Sequence, residues 1–562
     1  MSDEYDLKSV KLPYLAGGAL KLFASLVEGP LQSALIPSLF ESAGLNWLRK
    51  QHFEEAPTYL PFHYVGELQT KDAAVPETQW PTTYSNTNGF QFTTIFDFAK
   101  AYRDGTTTPE EVAKKVLDAI EASDKSETPL RAFIAVNRDD VMRQALESTE
   151  RIKNGKPLSV FDGVPVAIKD EMDMIPYPTT VGTSFLGETP AKEDSEVAAR
   201  LRKVGALLIG KTNMHEIGIN VFGLNPHHGT TRNPYNPNHF TGGSSSGSAT
   251  AVAAGLVPVA IGADGGGSIR IPSAFFGLVG LKATFGRVSE HGAFPLDWSV
   301  AHIGPIGATA TDVALTYALL AGPDLKDENS LHQPLPTLEG WDDLNLKGLK
   351  IGIYRQWFEH ADKEVVDTCN GMLKKFEEMG CEIKEIVIPN LEANRIAHTV
   401  TIVSEMVHSM NRTYHKHYKK HGLDVRINLA LGRKFSADDY VKAQRIRTRT
   451  IRHFNNAFKE VDVILTPTTA IPAPGIKKGA LPDGDSDLST TVEIMRFATA
   501  GNLTGLPAIT FPVGYTQKGL PIGLQAMGRA WDEATLLRLA LASEKVVERK
   551  APQVHFKILD TL

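Results

Sequence analysis

Two glycine–serine segments are where this chain has the residue types and spacing for chemistry. Residues 241–249 read TGGSSSGSA and residues 262–272 read GADGGGSIRIP. Flexible surface loops are the plain alternative, but each segment is wedged against apolar sequence, and the second emerges directly from LVPVAIGA. A glycine triplet beside a serine lets successive backbone N–H groups converge on one point with no side chain in the way. Donors placed like that stabilise the oxyanion of a tetrahedral intermediate in acyl transfer, by about 3–4 kcal/mol for one donor. Ser268, directly after Gly265, Gly266 and Gly267, is then the natural nucleophile. A serine hydroxyl needs a base, and no histidine lies in a comparably apolar segment. Lys169 does, at the end of the run Val164-Pro-Val-Ala-Ile168. Partial desolvation there lowers a lysine's pKa toward a base-competent value. Taken alone, Lys169 reads better as a surface lysine at a strand end, and only the company of the two glycine–serine segments reverses that.

Other motifs carry less. Residues 205–212 (GALLIGKT) match the letters of a phosphate loop. Such a loop must bend and expose its N–H groups, whereas Ala-Leu-Leu-Ile is built to be a buried strand. His215-Glu216 begins like a zinc-protease helix, but Ile219 stands where the second histidine belongs. His415, His417 and His421 lie among Lys416, Lys419 and Lys420 and read as a solvated basic helix face, and His227-His228 read as turn residues before Gly229.

The elements that must position these residues alternate. Thr108-Pro-Glu-Glu111 supplies an N-cap, a proline at the first helical position and a capping-box glutamate, and Val112, Val116, Leu117 and Ile120 then form one apolar stripe. Further helices are expected over 94–103, 138–153, 195–204 and 248–255. Buried strands are expected over 162–170, 206–209, 256–263, 462–465 and 508–513, with a strand-like LKIGIY near 349. This alternation predicts an α/β fold, a sheet flanked by helices. Residues 335–459 read as a more charged, helical and variable segment, and the Gly/Pro/Asp-rich stretch 480–489 as a mobile loop.

The chain has 562 residues, 42% hydrophobic and 22% charged, with 59 Lys+Arg against 65 Asp+Glu and a net charge of −6. That length accommodates three or four domains or one large α/β domain. A nucleic-acid partner is not expected, because a surface built to track phosphates is basic. Two cysteines, Cys369 and Cys381, cannot form a disulfide framework, so two free thiols in a reducing compartment are expected. The acidic N-terminus lacks the start of a secretory signal, and no stretch reaches the roughly 20 apolar residues of a bilayer span. Residues 12–48 are the most apolar region, interrupted by Lys21, Glu28, Glu41, Pro13, Pro30 and Pro37. They predict two short helices, over 15–27 and 31–40, packing on the body or forming a lid or interfacial patch over an apolar channel. The expected location is intracellular, cytoplasmic or peripherally on a membrane.

Lys169, Ser244 and Ser268, embedded in DGVPVAIKD, TGGSSSGSA and GADGGGSIRIP, resemble the Ser–Ser–Lys triad of the amidase signature family. GKTNMHE, TRNPYNPN, the downstream GLK, VDVILTPT and GLPIGLQAMG extend the likeness over roughly residues 93–548. The resemblance implies one large twisted mixed β-sheet covered by α-helices on both faces, with catalytic domain 93–562 and an N-terminal helical extension 1–92. It implies that Ser268 is acylated, that neutral Lys169 is the base, and that Ser244, after a cis peptide bond from Gly243, relays the proton. Gly265, Gly266, Gly267 and Ser268 would form the oxyanion hole, with Asp264 and Arg270 as structural supports. No metal or organic cofactor is implied.

PYLAGGALKLFASLVEGPL and FSADDYVKAQRIRTR resemble the plant-type fatty acid amide hydrolase branch of that family. That likeness implies a lipid-like amide substrate such as an N-acylethanolamine, a homodimer, and Gly218 in the substrate-lining segment. Residues 223–228 (GLNPHH) depart from the wording expected there. Hydrolysis of small or aryl amides is the nearest alternative. The amidase component of a glutamyl-tRNA amidotransferase is another, disfavoured by the acidic charge and the apolar extension. A non-catalytic scaffold is the third, disfavoured by the intact Lys–Ser–Ser set.

Overall fold

The computed structural model describes residues 5–73 and 87–559. Its framework is an 11-stranded sheet. In chain order the strands are β1 (Phe133–Ala135), β2 (Pro165–Lys169), β3 (Leu207–Thr212), β4 (Val259–Ala263), β5 (Val279–Lys282) and β6 (Ile303–Gly307). They continue as β7 (Lys350–Ile353), β8 (Glu382–Glu385), β9 (Val463–Pro467), β10 (Ala508–Tyr515) and β11 (Pro521–Gly528). Across the sheet the order is β8-β7-β9-β11-β10-β5-β6-β4-β2-β3-β1. The sheet is mixed. β2 runs parallel to both β3 and β4, with Val166 opposite Val259 and Ile168 opposite Ile261. β4 and β6 run antiparallel, as do β10 and β11.

Strand β2 is buried along its whole length. A central strand covered on both faces must be apolar throughout rather than alternating, which is why VPVAI could be read as a strand. The expected helix starts hold. Thr108 and Glu111 form the capping box of helix Pro109–Asp124, whose Val112, Val116, Leu117 and Ile120 are buried. Thr94 and Asp97 cap Ile95–Arg103 in the same way. Helix Ser246–Ala253 is buried at every position, and its Gly247 is required by close approach: a Cβ there would sit 2.3 Å from the Ala132 carbonyl oxygen.

The N-terminal extension forms helices Gly17–Glu28, Gln32–Ala43 and Leu45–Lys50, the last of them not anticipated. Leu20 and Ala24 pack with Ile427. Phe40, Leu45 and Leu48 pack against Ala393, Ile396 and Val400 of the long helix Leu391–His417. Two forked ion pairs fasten the layer: Arg49 on Asp439 at 2.9 and 2.8 Å, and Arg426 on Glu28 at 2.8 and 2.5 Å. Leu15–Ala16 also pairs antiparallel with Asp485–Ser486. Within the stretch 480–489, a distant segment thus supplies backbone partners to residues 485 and 486 that local turn chemistry cannot reveal. Among the described residues, no helix is long and apolar enough to cross a membrane.

Candidate active site

Lys169 is the last residue of β2, and Ala263 is the last residue of the neighbouring parallel strand β4. Both chains therefore leave the sheet at the same edge, the position where open α/β sheets place their ligands. The Lys169 side chain is 1% exposed. Its Nζ donates to Ser244 Oγ at 2.8 Å and to the Ala263 carbonyl at 3.3 Å, and it lies 2.7 Å from Glu171 Oε2.

Ser244 follows a cis Gly243–Ser244 peptide bond. Its carbonyl accepts from the His215 amide at 3.1 Å, tying it to the segment that follows β3. Gly218 faces it from that segment. Gly218 has φ +68, and a Cβ there would come within 3.3 Å of Ser244 Oγ, so glycine meets both a backbone and a space requirement. Ser245, the next residue, donates from its hydroxyl to the Ala263 carbonyl at 3.1 Å.

The 264–268 loop turns on Asp264. Its carboxylate accepts from the Gly267 amide at 2.6 Å and the Ile269 amide at 3.1 Å, and is gripped by Arg270 through Nε and Nη2, both at 3.0 Å. Arg270 continues to Gln525 Oε1 and Asn502 Oδ1, each at 2.6 Å, and to the Ala498 carbonyl. Burial raises the Asp264 carboxyl, but Arg270, Lys282 and Asn502 outweigh it and hold the group well below the usual carboxylate range. Gly267 thus spends its N–H on Asp264, which sets it apart from its neighbours Gly265, Gly266 and Ser268. His398, a residue the sequence did not flag, bonds the Gly265 carbonyl through Nε2 at 2.7 Å. Burial drives its pKa down to about 4, so it is neutral and serves the loop as a donor. Its only sequence signal is a histidine on the apolar face of a helix, which is no signal without the fold.

Lys169, Ser244, Ser268, Gly218, Gly265 and Gly266 line one cavity of about 240 Å³. Ile402, Val403, Met406 and Met495 form its apolar sides, and Leu12, Leu39 and Phe40 of the extension close its outer wall. The remaining motifs fall elsewhere. Lys211 of the GALLIGKT run is a buried strand residue donating to the Met172 carbonyl at 2.6 Å. His421 is not on a solvated face. It is buried, with Nδ1 2.6 Å from Glu216 Oε1, while His227 approaches the other Glu216 oxygen at 3.1 Å. His417 stacks on Phe185. Tertiary packing between residues some 200 apart creates this cluster. Among the described residues, no group of His, Cys, Asp and Glu could hold a metal ion.

The sheet and the edge-on cavity are the frame of an enzyme of amide chemistry. The chain matches the Amidase family over residues 111–537, and it belongs to that family: it is an amidohydrolase. It is 40% identical to a fatty acid amide hydrolase of Oryza sativa subsp. indica, over 99% of this chain and 96% of that protein. It is 33% identical to a glutamyl-tRNA(Gln) amidotransferase subunit from a Synechococcus strain, over 81% of this chain and 96% of that one. The native peptide amidase of Stenotrophomonas maltophilia has the same fold at TM-score 0.69 and 26% identity, covering 82% of this chain and 98% of that one.

Proposed function

We propose that this enzyme hydrolyses fatty acid amides, N-acylethanolamines and their relatives among them, through an acyl-enzyme on Ser268. The observation that carries the reading is the cavity. Lys169, Ser244 and Ser268 line it together with Ile402, Val403, Met406 and Met495 and with Leu12, Leu39 and Phe40 of the N-terminal extension. A substrate that fills it has its carbonyl at the polar floor and a hydrocarbon chain along the rest. The fatty acid amide hydrolase relative aligns with 99% of the chain, the amidotransferase relative with 81%. Domain 93–562 then supplies the chemistry, and extension 1–92 selects the chain.

In this reading neutral Lys169 takes the Ser244 proton across 2.8 Å while Ser244 takes that of Ser268. Ser268 Oγ bonds to the amide carbon, and the oxyanion is held by N–H groups of Gly265, Gly266 and Ser268 itself. Collapse breaks the C–N bond as the proton returns from Lys169 through Ser244 to the departing amine. Water then repeats the sequence on the ester and releases the fatty acid. Asp264 and Arg270 keep the loop in shape, and Gly218 keeps room for the Ser244 hydroxyl. Leu22 and Leu31 on the extension are 62% and 58% exposed, which suits peripheral contact with a lipid surface or burial against a second copy in a homodimer.

The test is kcat/KM across acyl chain length with one ethanolamine leaving group and a Ser268→Ala control. A rise with chain length, absent in the control, is expected. A flat profile, or a preference for short or aromatic acyl groups, discards the lipid assignment and favours an aryl or small-amide amidase.

A further inference from the structure

Glu171 stands two residues beyond Lys169, and the proton relay through Lys169 and Ser244 leaves it without a task. Its Oε2 lies 2.7 Å from Lys169 Nζ, and the two side chains are only 7% and 1% exposed. It lines the catalytic cavity beside Lys169 and Ser244. It also lines a second cavity of about 310 Å³, which shares Ala263, Leu296 and Asp297 with the first. A lysine acting as a base must be neutral when it accepts a proton, and a carboxylate in contact favours the ammonium form. Contact at this distance between two buried side chains therefore bears on the chemistry itself.

The groups facing the pair come from several elements. Asp297 lies on the loop before β6, Glu290 on the segment ahead of it, Glu405 on helix Leu391–His417, and Asp264 on the nucleophile loop. Burial, Glu171 and Glu405 together push the Asp297 carboxyl well up, while Lys169 pulls it down. Burial also raises Glu290 and Glu405, the latter held by Ser299 and Tyr440. Asp264 is neutralised by Arg270. Of these acids, Glu171 is the one with an oxygen against Nζ.

We infer that Glu171 is a positioning residue that holds Lys169 against Ser244 and sets the pH at which that lysine becomes a base. The inference rests on the reading of Lys169 as the base. Nζ acts as a base only after giving up a proton to water, a loss that a carboxylate 2.7 Å away opposes. Nζ then accepts the Ser268 proton through Ser244, and the ammonium so formed again meets the carboxylate just as the tetrahedral intermediate builds. The proton passes back to the leaving amine, and the pair is restored. Glu171 thus has two opposed effects: it keeps the base protonated to higher pH, and it steadies the ammonium during acylation.

The test is the pH dependence of kcat/KM on a long-chain N-acylethanolamine for the unaltered enzyme, Glu171→Gln, Glu171→Asp and Lys169→Ala, with thermal melts to verify folding. For Glu171→Gln the acidic limb is expected to move down by about one to three pH units, and the plateau to fall several-fold. A purely structural role would lower the plateau without moving the limb, and an unmoved limb in folded Glu171→Gln overturns the inference. Glu171→Asp withdraws the charge by one methylene and is expected to move the limb the same way by less. Should the glutamine variant not fold, the aspartate variant decides by the same criterion. Lys169→Ala separates the two readings. Near-normal turnover there removes the base assignment itself, whereas a dead Lys169→Ala with an unmoved Glu171→Gln limb removes only the role of Glu171.

Discussion

The floor and the outer wall of the cavity are built on different principles. On the floor, Lys169 and the 264–268 loop hang from adjacent parallel strands, Ser244 precedes the buried helix Ser246–Ala253, and the charged support is fully buried and multiply bonded. Arg270 alone reaches Asp264, Gln525, Asn502 and the Ala498 carbonyl. The outer wall is a thin layer of short helices whose ion pairs include partly exposed members: the Arg49 side chain is 38% exposed where it meets Asp439. Its strand pairing with Asp485–Ser486 involves only two residues on each side. A reacting centre must hold its geometry closely, because a small displacement costs rate steeply. A wall that admits and chooses an acyl chain needs only apolar contact, and can loosen without disturbing the chemistry.

The sharpest way to break the floor is Arg270→Met. It leaves Asp264 as an uncompensated buried charge, and loss of about 3–5 kcal/mol of stability is expected, with loss of covalent labelling at Ser268. Melting and fluorophosphonate labelling measure both. A variant that melts like the parent would show that the network is not what holds the loop. The wall is tested by deleting residues 1–48. Losing contact with two or three methylenes costs about 2 kcal/mol, about thirtyfold in kcat/KM. That loss is expected on long-chain amides only, with short-chain turnover retained and binding to phospholipid vesicles reduced. Equal losses on short and long substrates would erase the distinction between the two regions.

The seam between them gives the smallest effect. Burial, then Asp424 and Asp487, raises the Asp485 pKa from 3.8 to about 6 where its strand pairs with Leu15–Ala16. A carboxyl raised on folding favours its protonated form in the folded state. Its stabilising contribution is present at acid pH and lost as pH rises through 6. Asp485→Asn should therefore flatten the pH dependence of melting between about pH 4 and 6 and stabilise the protein by about 1 kcal/mol at neutral pH, local opening of so short a strand limiting the gain. An unchanged pH profile would place the seam's stability elsewhere.

Much of the floor was legible before any coordinates. DGVPVAIKD and LVPVAIGA read as buried strands because a doubly covered strand has to be apolar along its length, and the glycine triplet before Ser268 reads as a loop built to present N–H groups. Those features are local, so the sequence carries them. Glu171, His398 and Asp297 were not legible, since each takes its meaning from a neighbour on another element or beyond a turn. His421 was misread for the same reason: its lysine neighbours suggest solvent, yet Glu216, some 200 residues earlier, receives it in the interior.

The sequence by itself determined which segments could be strands and where the capped helices start. Those follow from covalent structure and from periods of two and 3.6 residues, which no fold can alter. Only the tertiary structure decided that strands β2 and β4 end side by side, so that Lys169 meets Ser244 and Glu171 meets Lys169. It alone brought Leu12, Leu39 and Phe40 to the cavity that Lys169 and Ser268 line. Contacts of that kind depend on how distant elements pack, and packing is settled by the burial of the whole core rather than by any one stretch of the chain.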